Sequence, residues 1–354
     1  MSSAQKPSAS LPVTMQQVAD TAGLSRSAVS YALRNHPSIP VPTRQRVQRI
    51  ARKLGYRPDA YVSTLMARIH SRRRKAEPAA LAYVVEKPVE PNLKLISFFR
   101  EIREGVEARA AALGYRVELF SWNTAAMSAK RLASILHARG IRGIFFSPVD
   151  DDRPEIHFPF EGFACGTVGF SIKKPELHRA SVHYQQGMDL IWEQLRSRGY
   201  RRPGLILPKL FNIRTQWSYL GTYLARQAMD SEVGAIPPCL LDGYSNFEPP
   251  IKTWFQKHRP DAVIIASTGI ESVLRRLARI PEDLGLADLI LEQSSGTTGI
   301  RQPTTELGAT AVDMIVAQIH RNESGIPASH KTTLIKCQWV EGRTLPPKRP
   351  GQKR

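Results

Sequence analysis

Val18-Ala19-Asp20-Thr21-Ala22-Gly23-Leu24-Ser25-Arg26-Ser27-Ala28-Val29-Ser30 carries the end of one helix and the start of the next. Gly23 is read as the stop, because glycine enters the left-handed conformation of a helix C-cap without a side-chain clash. Ser25 is read as the start, its hydroxyl accepting from a free amide of the first turn. Upstream, Thr14-x-x-Gln17 is a capping box that opens the first helix at Met15. Val18 and Ala19 face a core, and Ala19 is small enough to let two helices cross closely. Downstream, Val29, Ala32 and Leu33 recur at helical spacing. Two short helices joined by such a turn form a helix-turn-helix, whose second helix enters the DNA major groove; the alternative is an ordinary helical hairpin.

The chain continues in the same style. Val47, Ile50, Ala51 and Leu54 mark a third amphipathic helix, stopped by Gly55. After Tyr56-Arg57-Pro58-Asp59-Ala60 comes a short segment with the i, i+4 pairs Tyr61/Leu65 and Val62/Met66, then the basic run Arg72-Arg73-Arg74-Lys75. A helix this short is marginal alone in water, so it folds only when something packs against it. It is either such a conditional hinge or a plain linker helix.

On the second helix, Arg26, Ser27, Ser30 and Tyr31 lie away from the apolar face of Val29 and Leu33 and are the candidates for major-groove contacts. Arginine pairs bidentately with guanine, serine bonds bases or phosphates, and tyrosine stacks or bonds a phosphate. Thr14, Ser25, Asn35 and Arg44 are the candidates for backbone contacts, with Asn35 either a cap or a phosphate ligand. Arg44, Arg46 and Arg49 are either phosphate clamps or a solvated face.

Charge supports a polyanionic partner. The 354 residues carry a net charge of +19. Residues 1–75 hold fourteen Lys/Arg and only two Asp/Glu, so most of that surplus sits in a fifth of the chain. A membrane surface is the competing polyanion, but no span of about 18 apolar residues exists, and DNA is favoured. Residues 1–12 are polar and proline-bearing with no apolar signal core, which predicts a disordered leader and a cytoplasmic protein. Cys165, Cys239 and Cys337 are far apart and odd in number, so they are expected to be reduced and structural, with redox sensing as the alternative.

From Ala79 the pattern alternates between strands and helices. Strands are expected at 81–85, 116–122, 143–147 and 163–170, with helices at 98–113 and 128–139. A second series starts near Val182, with helices at 185–198, 215–229 and 270–279 and strands at 204–207 and 262–266. Such alternation predicts parallel sheets covered by helices, enough for two lobes, with a ligand cleft at the carboxyl ends of the strands. Phe98, Trp122, Arg214, Trp217 and Thr268 are the cleft candidates. Trp217 and Arg214 either grip a ligand, by stacking and by a guanidinium fork, or are respectively packing and surface residues; Phe98 and Trp122 carry the same pair of readings.

Three stretches resemble the LacI/GalR family of bacterial transcriptional regulators. They are Val13-Thr14-x-x-x-Val18-Ala19-x-x-Ala22-Gly23-Leu24-Ser25-x-x-x-Val29-Ser30, Thr43-Arg44-x-Arg46-Val47, and Leu54-Gly55-Tyr56-Arg57-Pro58-Asp59-Ala60. The resemblance implies a multidomain protein: an N-terminal all-α helix-turn-helix head with a hinge helix, then an α/β two-lobed periplasmic-binding-protein-like body with parallel sheets. It places the head at 13–58, the hinge at 59–75 and the body at 79–345. Lobe 1 takes about 79–175 and 302–325, and lobe 2 about 176–300 and 332–345, followed by a basic tail at 346–354. It also implies a homodimer whose paired hinge helices open the minor groove. By register the wedging leucine is Leu65, and Val62 stands where relatives commonly carry alanine. Tyr31 stands where many relatives carry an arginine base contact, which implies a different preferred site.

The resemblance also exposes departures. Ser218 stands where sugar-binding relatives carry an arginine, three residues before Gly221, and Ser267-Thr268 where they carry an aspartate. The expected partners are therefore a double-stranded DNA operator, a second copy of the chain, and a small-molecule effector such as a sugar or related metabolite. The second possibility is a body that has lost effector control and only dimerises. No HExxH, GxSxG, GxxxxGK[ST] or GxGxxG occurs, and Asp150-Asp151-Asp152 has no ligand-spaced partner, so neither an enzyme, a cofactor nor a metal is expected.

Overall fold

The computed structural model describes residues 13–56, 78–85, 93–122, 127–149, 155–243, 245–266, 268–291 and 296–348. The head is three helices, α1 (Met15–Ala22), α2 (Arg26–Leu33) and α3 (Val41–Leu54). Both arms of the capping box form, Gln17 N–H donating to Thr14 Oγ1 and Thr14 N–H to Gln17 Oε1. Gly23 closes α1 at φ +63°, and Ser25 Oγ accepts from Ala28 N–H to open α2. Val18, Ala19, Ala22, Val29, Ala32, Val47 and Ala51 form the core, so mostly small residues bring three helices together.

The body holds two six-stranded sheets. The first runs β11-β5-β4-β3-β1-β2, all parallel, from β1 (Ala79–Val85), β2 (Tyr115–Ser121), β3 (Gly143–Phe146), β4 (Ala164–Val168), β5 (His178–Val182) and β11 (Thr332–Ile335). The second runs β12-β10-β9-β8-β6-β7, from β6 (Pro203–Pro208), β7 (Cys239–Leu241), β8 (Ala262–Ile265), β9 (Gly285–Asp288), β10 (Gly299–Arg301) and β12 (Gln338–Val340). In it only β12 is antiparallel to its neighbour. The central strands β3, β4, β6 and β8 are buried throughout, as strands covered by helices on both faces must be.

Two sequence expectations need correction. Lobe 2 does not take in 176–182 or 332–335: residues 178–182 are β5, paired with β4, and 332–335 pair with β5, while the second series begins after Val182 with the helix Tyr184–Ser197. Both segments belong to the first sheet rather than to lobe 2. Backbone pairing decides this, and it leaves no periodic trace in a five-residue strand. The expected helix at 215–229 starts only at Ser218, because Gln216 and Trp217 are both left-handed, at φ +53° and +60°, and a separate short helix, Lys209–Arg214, precedes that turn. The strands at 239–241, 332–335 and 338–340 and the helix Glu248–His258 were not anticipated.

The first lobe is bound to the returning chain by two helices, Leu93–Ala112 and Thr304–Arg321. Their backbones meet through reciprocal glycines. A Cβ on Gly105 would lie 1.9 Å from the Thr305 carbonyl oxygen, and one on Gly308 2.2 Å from that of Ile102. On the opposite face of the sheet, Phe146, Phe158, Phe160, Phe163 and Trp122 form an aromatic cluster with mostly edge-on or tilted rings. The three cysteines are free and buried. Among the described residues no helix is long and apolar enough to cross a membrane, and no three potential ligands gather as a metal site.

Candidate DNA-reading face and interlobe pocket

The cap at Ser25 fixes where α2 begins, and so which residues its first turn presents. Arg26 and Ser27 are exposed there, Ser27 Oγ lying 3.0 Å from Ser25 Oγ. One turn on, half-buried Ser30 accepts from Arg34 Nη2 at 2.7 Å. Tyr31 is exposed, stacks on His36 at 4.6 Å between centroids, and has the Arg34 guanidinium 5.7 Å from its ring centre. Arg34 and His36 are thus parts of this face that sequence reasoning missed; the i, i+3 spacing of Tyr31 and Arg34 was the available signal. The four predicted major-groove residues share one surface.

The predicted backbone contacts divide. Thr14 and Ser25 serve as helix caps at the exposed ends of α1 and α2. Asn35, at φ +57°, accepts from Gln48 Nε2 at 2.7 Å, and its carbonyl accepts from Arg44 Nη1 at 2.9 Å. Arg44 and Asn35 therefore tie α3 to the end of α2, while Arg46 and Arg49 stay exposed. Val62 and Leu65 lie outside the described residues.

The cleft candidates do not converge. Trp122 is 5% exposed and packs edge-on against Phe158, so it belongs to the aromatic core. Phe98 is half-buried against the core beside Phe99. Arg214 is half-buried at the end of Lys209–Arg214. Trp217 is held in the left-handed turn with its side chain 53% exposed, a conformation that costs about 1–2 kcal/mol in a non-glycine residue. Thr268 opens the helix Thr268–Leu277, and its side chain lies outside the described part. Behind the Trp217 turn, Asn212 is fully buried, and neither its amide nitrogen nor its amide oxygen has a partner among the described residues.

A cavity of about 610 Å³ opens instead between the β5–β11 side of the first lobe and the Gln216–Ser218 turn of the second. The first lobe contributes Phe170, Lys173, Glu176, Arg179 and His330, and the second Tyr184, Gln216 and Ser218. Sequence reasoning missed this wall because the strands that form it were not recognised. His183, also in the lining, accepts from Gln186 N–H through Nδ1 and so caps the helix Tyr184–Ser197. Burial pushes the Tyr184 phenol up to about 12, which leaves it a neutral hydroxyl at the lobe junction.

Two stretches of the chain match known families. Residues 14–59 match the family of bacterial regulatory proteins, lacI family, and residues 192–345 match the periplasmic binding protein-like domain. The HTH-type transcriptional repressor CytR of Escherichia coli K12 is 25% identical over 360 residues, spanning 92% of this chain and 94% of that protein. Among solved structures, a complex of the transcriptional regulator CelR with cellobiose is 19% identical with a TM-score of 0.56, covering 94% of this chain and 99% of that one. The lac repressor dimer bound to operator and the anti-inducer ONPF is 16% identical with a TM-score of 0.53, covering 95% and 99%.

Proposed function

The chain belongs to the LacI family of bacterial regulatory proteins, and from that premise we propose that it is a repressor that binds a pseudo-palindromic operator as a homodimer and yields to a small molecule between its lobes. The observation that carries the DNA half is the exposed first turn of α2, where Arg26 and Ser27 stand on the most basic part of the chain. Tyr31, braced between Arg34 and His36, supplies a stiff aromatic edge beside them. Val62 and Leu65 are the proposed minor-groove contacts of the hinge. Two heads related by a protein two-fold require an inverted repeat, with a kinkable centre where the paired leucines enter.

Selection from a randomised duplex library tests this reading. The expected product is an inverted repeat with a pyrimidine–purine step at its centre. Sequence-blind binding that only weakens with salt would leave a phosphate clamp and end the regulator reading.

The effector half is supported by the interlobe cavity and by buried Asn212, an amide too costly to leave unmatched at about 1–3 kcal/mol. A ligand acts only by binding open and closed lobes unequally. Ser218 favours the second reading, a body that only dimerises, because it lacks the charged grip of sugar-binding relatives. A library of sugars, nucleobases and sugar acids separates the two: a thermal shift coupled to operator release supports control, and no shift supports the dimerisation body.

A further inference from the structure

Arg179 is a charged residue on a parallel strand that is otherwise part of the body's core. It is 4% exposed, and it pairs across the ladder with Thr332 of the edge strand β11. Its Nη1 donates to the carbonyls of Gly169 and Ile172, at 3.1 and 2.9 Å, which ties down the connection between β4 and β5. Those two bonds account for one nitrogen. Nε is buried with no acceptor, and Nη2 makes no hydrogen bond among the described residues. The guanidinium lies 5.3 Å from the centre of the Phe170 ring, which leaves its other edge for a partner.

Among the described residues no carboxylate completes the site. Glu176 is close enough to favour the charged guanidinium, but it forms no ion pair with it within 4 Å. Its carboxylate instead lies 3.3 Å from His330 Nδ1. Burial lowers the Arg179 pKa from its ordinary value, and arginine nevertheless remains charged at neutral pH. A buried charge without a counter-charge is costly unless a partner arrives. Arg179 lines the interlobe cavity together with Lys173, which is exposed and makes no ion pair among the described residues.

We propose that the interlobe pocket takes a small organic anion, whose carboxylate or phosphate is received by the Nη2 end of the Arg179 guanidinium with Lys173 at the mouth. This deepens the effector reading above and rests on it. Nη2 keeps its N–H donors for a charge-assisted hydrogen bond to an anionic oxygen. A neutral sugar would leave the guanidinium uncompensated. The positive wall lies on the first lobe, and Tyr184, Gln216 and Ser218 face the same cavity from the second. The anion therefore joins the lobes, with the charge held on one side and the rest of the molecule on the other.

The test uses the full chain and two probes, inorganic phosphate and acetate, each exchanged for chloride at constant ionic strength and pH 7. The basic head also attracts anions, so the quantity read is the difference in Tm response between wild type and Arg179→Gln. A saturable rise of about 2 °C or more is expected in the wild type, with at least a tenfold weaker apparent affinity in the variant. Phosphate acting alone would assign a phosphoryl ligand, and acetate acting alone a carboxylate. Lys173→Glu, at an exposed position, serves as a second variant if Arg179→Gln fails to fold, and is expected to weaken the same response several-fold. Equal responses in wild type and both variants, or none in the wild type, overturn the proposal. Neutral sugars or nucleosides that stabilise the chain independently of Arg179 would remove the anion and leave the effector reading standing. Anion binding that needs Arg179 but leaves operator affinity unchanged would do the reverse.

Discussion

The head and the interlobe pocket are built on opposite principles. In the head, α1 and α2 open on caps three residues from their partners, and all three helices between Met15 and Leu54 close on a core of mainly small side chains. The residues proposed to read DNA, Arg26, Ser27 and Tyr31, stand exposed on this support. The pocket is lined from the 170–185, 216–218 and 330–334 segments, and its central cation is buried. A surface that reads DNA must be complete before its partner arrives, since base edges tolerate little adjustment. A pocket that responds to a ligand has to be left incomplete, because a site already satisfied has nothing to gain on closing.

The sharpest way to break this comparison is at the close helix contact of the body. Gly308→Val puts side-chain atoms where a Cβ alone would meet the Ile102 carbonyl oxygen at 2.2 Å. It is expected to destabilise the body by about 3 kcal/mol or more, read as a lowered urea midpoint. The head shares no core with this contact, so the isolated α1–α3 signals in an NMR spectrum should keep their positions. If they shift along with the body, head and body are not independent supports.

A smaller effect is expected at the reading face. Arg26→Ala should leave Tm unchanged and cost about 1–3 kcal/mol of affinity for the selected operator, with relaxed preference at one base pair per half-site. Anisotropy titrations against the operator and a scrambled duplex make the distinction. An equal loss on both duplexes would demote Arg26 to a phosphate contact.

The smallest expected effect is a pH dependence confined to the body. His178 is 7% exposed, and its Nδ1 accepts from Lys331 N–H at 2.9 Å, which requires the neutral ring. Burial first, then the Lys331 charge, holds its pKa below 6.5. The unfolded chain therefore takes up this proton at a higher pH than the folded one. The contribution to stability is complete above about pH 6.5 and is lost as pH falls through the folded value. Urea midpoints at pH 7.5 and 5.5 should fall further in the wild type than in His178→Asn. An identical slope in both would assign the pH dependence to other groups.

The sequence was most informative where structure is local. Thr14, Gln17, Gly23 and Ser25 announced their roles because a cap and the amides it satisfies lie within a few residues of each other. The alternation beyond Ala79 disclosed two parallel-sheet lobes, since buried strands and amphipathic helices have different periods. Where a segment belongs was another matter. Residues 178–182 and 332–335 join one sheet across about 150 residues of chain, and only hydrogen bonding between them reveals it. Trp122 and Arg179 show the same limit in side chains. A tryptophan after a strand suits a ligand wall or a core equally well, and tertiary packing put it among phenylalanines. An arginine in a strand reads as a surface residue until the chain folds over it. Residue type and short-range spacing determined the helix-turn-helix and the class of the body, whereas burial and charge pairing, which depend on segments distant in sequence, decided what the pocket is lined with.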